Sequence, residues 1–133
     1  MKHLRRNAVL LITTLCMVGC MITQAMGAVK TQKGQLNQKD VTGSAYIIDT
    51  YASATTMISK VNADYIEVNA TYYYYSKSTL TVYSLDESNS ENNYKSALVD
   101  FTAPSNYKMM KIITSHFVVY SGQTWTAEIV NTL

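Results

Sequence analysis

The side chains in this 133-residue sequence that could do covalent or metal chemistry are few, and their spacing is uninformative. A hydrolase needs a nucleophile with a base beside it. Beyond position 27 the chain has one histidine, His116, and no cysteine. A Ser-His-Asp arrangement is open combinatorially, but no motif stands behind it, and His116 beside Phe117 in a β-branched run reads as a packed or surface strand residue. Ser105-Asn106-Tyr107-Lys108 has the S-x-x-K spacing of penicillin-recognising enzymes. That motif works from a helix with two partner motifs, and here it follows Pro104. Dinucleotide, P-loop and H-E-x-x-H patterns are missing. One histidine without cysteine cannot furnish the usual four zinc ligands. Asp86-Glu87-Ser88-Asn89-Ser90-Glu91-Asn92-Asn93 is rich in the oxygen ligands calcium prefers. It departs from the EF-hand pattern, with Glu91 at the glycine position and Ala97 at the bidentate glutamate, and reads as an exposed, solvated loop. No catalytic residue, metal or cofactor is expected, and the protein is read as a non-enzyme.

Tyrosine is the unusual feature. All 11 tyrosines lie beyond position 27, and Tyr72 to Tyr75 are consecutive. In a strand, Tyr73 and Tyr75 project together from the side opposite Tyr72 and Tyr74, about 7 Å apart. Tyr83 on the adjoining strand is expected to join them. The expected candidate binding residues are therefore Tyr73, Tyr75 and Tyr83, an amphipathic platform suited to a sugar face or a protein partner. The plainer reading is cross-strand ring pairing that only stabilises the sheet.

These residues need a β scaffold. Asp64 to Ser76 alternates Ile66, Val68, Ala70, Tyr72 and Tyr74 against Glu67, Asn69, Thr71, Tyr73 and Tyr75. Shorter strands are expected at 45–51 and 53–59, at 78–85 after a turn at 75–78, and at 95–102 before Pro104. Met109 to Tyr120 and Thr124 to Asn131 form a closing hairpin about Gly122. About seven strands without a helical stripe predict an all-β, small antiparallel β-sandwich of immunoglobulin-like type, with a small β-barrel as the alternative.

The first 27 residues are read separately. Lys2, Arg5 and Arg6, an apolar run from Ala8 to Ile22, and small residues at Ala25 and Gly27 have the layout of a secretory signal peptide. Met17-Val18-Gly19-Cys20 resembles the lipobox of bacterial lipoproteins, which would leave a lipid anchor on Cys20. Residues 28–43 are mostly polar, with Leu36 and Val41 among the few exceptions, and are expected to be a flexible leader before a single domain at 44–133. Beyond position 27 eight lysines face nine acidic residues, a net charge of −1 without arginine. That gives no footprint for nucleic acid and no polybasic contact with a membrane. The plan of a signal peptide and a short cysteine-free β domain loosely resembles small β-sandwich bacteriocins of Gram-positive bacteria, without an aligned motif. The expectation is a secreted bacterial binding or cell-envelope interaction module with a protein or glycan partner. The alternative is a bacteriocin-like or toxin-like effector.

Overall fold

A computed structural model describes residues 5–7 and 29–133. Cys16, Cys20 and the apolar part of the expected signal segment lie outside the described residues. The chain folds into two antiparallel sheets with no helix among the described residues, so none is long and apolar enough to cross a membrane. The strands are β1 (Arg5–Asn7), β2 (Val29–Leu36), β3 (Lys39–Ile48), β4 (Tyr51–Ile58), β5 (Ala63–Ser76), β6 (Val82–Tyr94), β7 (Ser96–Thr102), β8 (Tyr107–Tyr120) and β9 (Gln123–Thr132). One sheet has the order β1-β6-β5-β8-β9 and the other β2-β3-β4-β7. Eight strands, β2 to β9, build the sandwich, and the short β1 lies along the β6 edge opposite Asp86, Glu87 and Ser88. The sheets do not close into a barrel.

Within β2 to β9, two pairings join strands that are not consecutive, β4 with β7 and β5 with β8. With β9-β8-β5-β6 on one side and β7-β4-β3 on the other, the connectivity matches the G-F-C-C′ and E-B-A orders of an immunoglobulin-like sandwich. β2 adds one further strand beside β3.

The pleat explains the core. Ile66, Val68, Ala70 and Tyr72 of β5 point inward with Ile112 and Val118 of β8, against Val41, Ala45 and Ile47 of β3 and Ala52 and Ala54 of β4, all buried. The closing turn is as its glycine predicts. Ser121 and Gly122 both adopt positive φ, at 49° and 76°, the two-residue geometry whose twist suits a hairpin. Asn37 and Gln38, at 45° and 63°, make the same turn between β2 and β3.

Two expectations are corrected. From Val29 on, the expected flexible leader at 28–43 is strand: β2 pairs with β3 from Val29↔Tyr46 to Leu36↔Lys39. Polar residues fit because β2 is an edge strand whose lysine serves the fold, Lys30 Nζ donating to the Val130 carbonyl of β9 at 2.9 Å. Of the segment's apolar side chains, Leu36 and Val41 are buried and Val29, at the start of β2, is exposed. Strand pairing in the β2-β3-β4-β7 sheet therefore begins at Val29 among the described residues.

Residues 86–93 are not a loop but the middle of β6, paired with β5 from Ala63↔Tyr94 to Tyr75↔Val82. β6 flanks β5 at the side of its sheet, where polar composition is tolerated and an inward-pointing charge discourages edge-to-edge association. Glu87 and Asn89 are the inward pair, both buried, and Asn89 Nδ2 donates to the Leu98 carbonyl of β7 at 3.0 Å.

Candidate functional site

The tyrosine run sits where β5 ends in its hairpin with β6, next to the start of β8. The pleat sends Tyr72 and Tyr74 inward and Tyr73 and Tyr75 outward, as the alternation predicts. Tyr83 does not join Tyr73 and Tyr75. It stands directly opposite Tyr74 across the β5–β6 ladder and so shares the inner face. Val82, opposite Tyr75, takes the outward place and is exposed, as is Leu80 in the turn, where φ is 58°. The expected three-ring platform is thus two surfaces on opposite sides of one hairpin.

On the inner side the rings form a connected cluster. Tyr74 stacks on Tyr83 at 5.8 Å between centroids, and Tyr107 meets both edge-on at 5.6 Å. Phe101 of β7 lies 5.1 Å from Tyr74 and 5.4 Å from Tyr72, which ends the chain of rings in the core. Such offset and edge-to-face pairs suit the ring quadrupoles. The cluster runs from Tyr72, without solvent contact, to Tyr83, 41% exposed. A β-bulge falls here, since Tyr73 pairs with Lys111 and Tyr74 with Met109, leaving Met110 as the extra residue.

On the outer side Lys111 Nζ stands 4.4 Å above the Tyr73 ring, a cation–π contact. Tyr75 is in register with Lys108, whose ammonium bonds Asp49 at 3.1 Å and is held above its usual pKa by that carboxylate. Farther along the same face lies a polar group that the sequence reading did not single out. Tyr65 and Asn69 both donate to the Glu67 carboxylate, Asn69 also reaches Ser115 Oγ at 3.3 Å, and Tyr65 packs on Phe117 at 5.9 Å. Burial and then the bond to Glu67 raise the Tyr65 phenol pKa. The period-two spacing of Tyr65, Glu67 and Asn69 carried this signal.

The weaker chemical candidates resolve simply. In β6, Asp86, Ser88, Ser90 and Asn92 face outward while Glu87 and Asn89 face inward, so their oxygens diverge. Among the described residues no group of three or more histidine, cysteine, aspartate or glutamate side chains is placed to hold a metal. Ser105 lies in a turn and Lys108 at the start of β8, not on a helix. His116 is 1% exposed, packed between the sheets.

Comparison with protein-family models and with curated proteins finds no match for this chain.

Proposed function

We propose that the protein is an exported, non-enzymatic β-sandwich module that grips a protein or glycan partner at the cell surface through its tyrosine-rich hairpin end. One observation carries the reading: the exposed Tyr83 ring is stacked on Tyr74 and braced by Tyr107. Rings already held by neighbours lose little further freedom on binding, while their hydroxyls add polar contacts. Leu80 in the turn and Val82 on the outward face add exposed apolar surface at the same end of the hairpin. The non-enzymatic reading is supported by His116, the single histidine of the sandwich, which is sealed away from any substrate. Export rests on the basic, apolar and small-residue order of positions 1–27. Mass spectrometry of the exported chain checks it: a start at Ala28 or Met26 supports free secretion, and a diacylglyceryl mass on Cys20 supports the lipid-anchored form.

Binding is tested with a glycan array and with cross-linking to isolated cell envelopes. Tyr83→Ser and the pair Tyr73→Ser, Tyr75→Ser are compared with the unaltered protein, and circular dichroism checks each fold. Loss of at least tenfold in affinity for Tyr83→Ser with the fold intact is expected, since aromatic anchors at an interface centre contribute roughly 2 kcal/mol or more. Unchanged binding in both variants would remove the tyrosine end from the reading.

A further inference from the structure

A second polar arrangement is closed inside the core. His116 of β8 and Thr56 of β4 face each other across the two sheets with 1% and 0% exposure. Nδ1 lies 2.8 Å from Thr56 Oγ1, and Nε2 lies 2.8 Å from Thr114 Oγ1. Thr56 has one proton, and it donates that proton to the Glu67 carbonyl at 2.9 Å. Nδ1 must therefore carry the imidazole proton and donate to Thr56, while Nε2 accepts from Thr114. Gly43 of β3 leaves the room this ring needs, because a Cβ there would stand 2.6 Å from His116 Cγ. β4 and β8 occupy the places of the B and F strands that antibody domains join by a disulfide. In this sandwich, which has no cysteine beyond position 27, a hydrogen-bonded histidine spans the same gap.

The surroundings hold no counter-charge for a protonated ring. The inward residues of β4, β7 and β9 carry no titratable side chain, and β3 has only Lys39, at its start, in register with Leu36. β5 contributes Tyr72 and Tyr74, β6 contributes Tyr83, Glu87 and Glu91, β8 itself contributes Tyr107 at its far end, and β2 contributes Lys30, whose ammonium is on the Val130 carbonyl. Across the sheet the row of His116 reads Asn89, Val68, His116, Ala127, and Glu87 stands in the next row with β5 between it and β8. Burial alone pushes the imidazole down to about 4.

We propose that His116 is an acid-released tie between the sheets: the neutral ring fastens β4 to β8, and a proton taken up at Nε2 loosens the sandwich. Protonation obliges Thr114 to turn its hydroxyl toward the Ile129 carbonyl, 3.5 Å away, and to accept from Nε2. The bonds can thus be remade. The uncompensated buried charge is what opens the structure. The folded ring binds protons less readily than the unfolded one, so its contribution to stability is full above about pH 6.5 and is lost as pH falls toward 4.

Denaturant unfolding of the full chain from pH 7.5 to 4, beside His116→Gln, tests this. Carboxylate titrations are common to both and cancel in the difference. The unaltered protein's unfolding constant should rise roughly a hundredfold more than the variant's over that range. Equal pH dependence overturns the proposal. If His116→Gln does not fold, NMR of the ring in a His3→Ala background decides. Ring signals of the folded protein that stay unmoved down to pH 5.5 support the tie, and a midpoint near 6.5 refutes it.

Discussion

Tyr72 and Tyr74 differ from Tyr73 and Tyr75 only by one step along β5, yet the two pairs live in different media. The inward pair is bound into the ring chain that runs from the core to Tyr83, with Tyr72 wholly buried. The outward pair is half-buried and shares its face with Lys111 and Lys108. A run of identical residues is thus not one site. The pleat divides it into a structural half and a surface half, and the same residue type answers to different physics on each side.

The largest test of that division is Tyr72→Ala. Removing a fully buried ring that packs on Phe101 should cost roughly 3 to 5 kcal/mol, read from denaturant midpoints at constant m. A loss comparable to that of an exposed residue would show that the inner face is not core.

Glycine substitutions sharpen the same contrast between sealed and open positions. At Gly43 an added methyl meets the ring of His116, which has nowhere to go, and Gly43→Ala should destabilise by about 1 to 3 kcal/mol. At Gly34 the methyl meets Trp125 Nε1 in a closer clash, but Trp125 is only partly buried and its ring can swing outward. Gly34→Ala should therefore cost less than Gly43→Ala in the same thermal melt. The reverse order would mean that Trp125, not His116, is the better-held ring.

How far the sequence revealed this arrangement depends on which residues had a buried face to report. β5 was legible because Ile66, Val68 and Ala70 alternate strictly with Glu67, Asn69 and Thr71. The closing hairpin was legible because Gly122 permits its turn. β6 was not, since its inward residues past Leu85 are Glu87 and Asn89, and an eight-residue polar run gives no apolar period. The same strand misplaced Tyr83: the apolar Leu80 and Val82 are exposed, and Tyr83 and Leu85 hold the inner side. β2 and the start of β3 were hidden for a related reason. Gly34 and Gly43 are inward positions with no side chain to declare it, because each accepts an aromatic ring from the opposite sheet.

Outward substitutions should be milder. Tyr73→Ser and Tyr75→Ser each remove a half-buried ring, and Tyr73 also loses the Lys111 contact, worth about 0.5 to 1 kcal/mol at such a site. Each should cost about 1 kcal/mol, clearly below Tyr72→Ala, in the same denaturant series. Costs equal to that of Tyr72→Ala would place these rings in a buried interface and end the distinction between the two faces.

The smallest change is the most pointed. The Tyr72 hydroxyl is buried and meets no hydrogen-bond partner among the described residues, and its ionisation is pushed well above the usual phenol range by burial first and the charge of Glu87 second. A buried hydroxyl without a partner carries a desolvation penalty that the folded state does not recover. Tyr72→Phe keeps the ring, its packing on Phe101 and its volume, and removes that penalty. The variant should therefore be as stable as the unaltered protein or more stable by up to about 1 kcal/mol, while Tyr72→Ala is strongly destabilised. Thermal and denaturant unfolding of the two variants side by side separates the ring from its oxygen. A loss of 1 kcal/mol or more in Tyr72→Phe would mean that the hydroxyl is bonded in solution, and that the inner end of the ring chain is a polar position and not simply core.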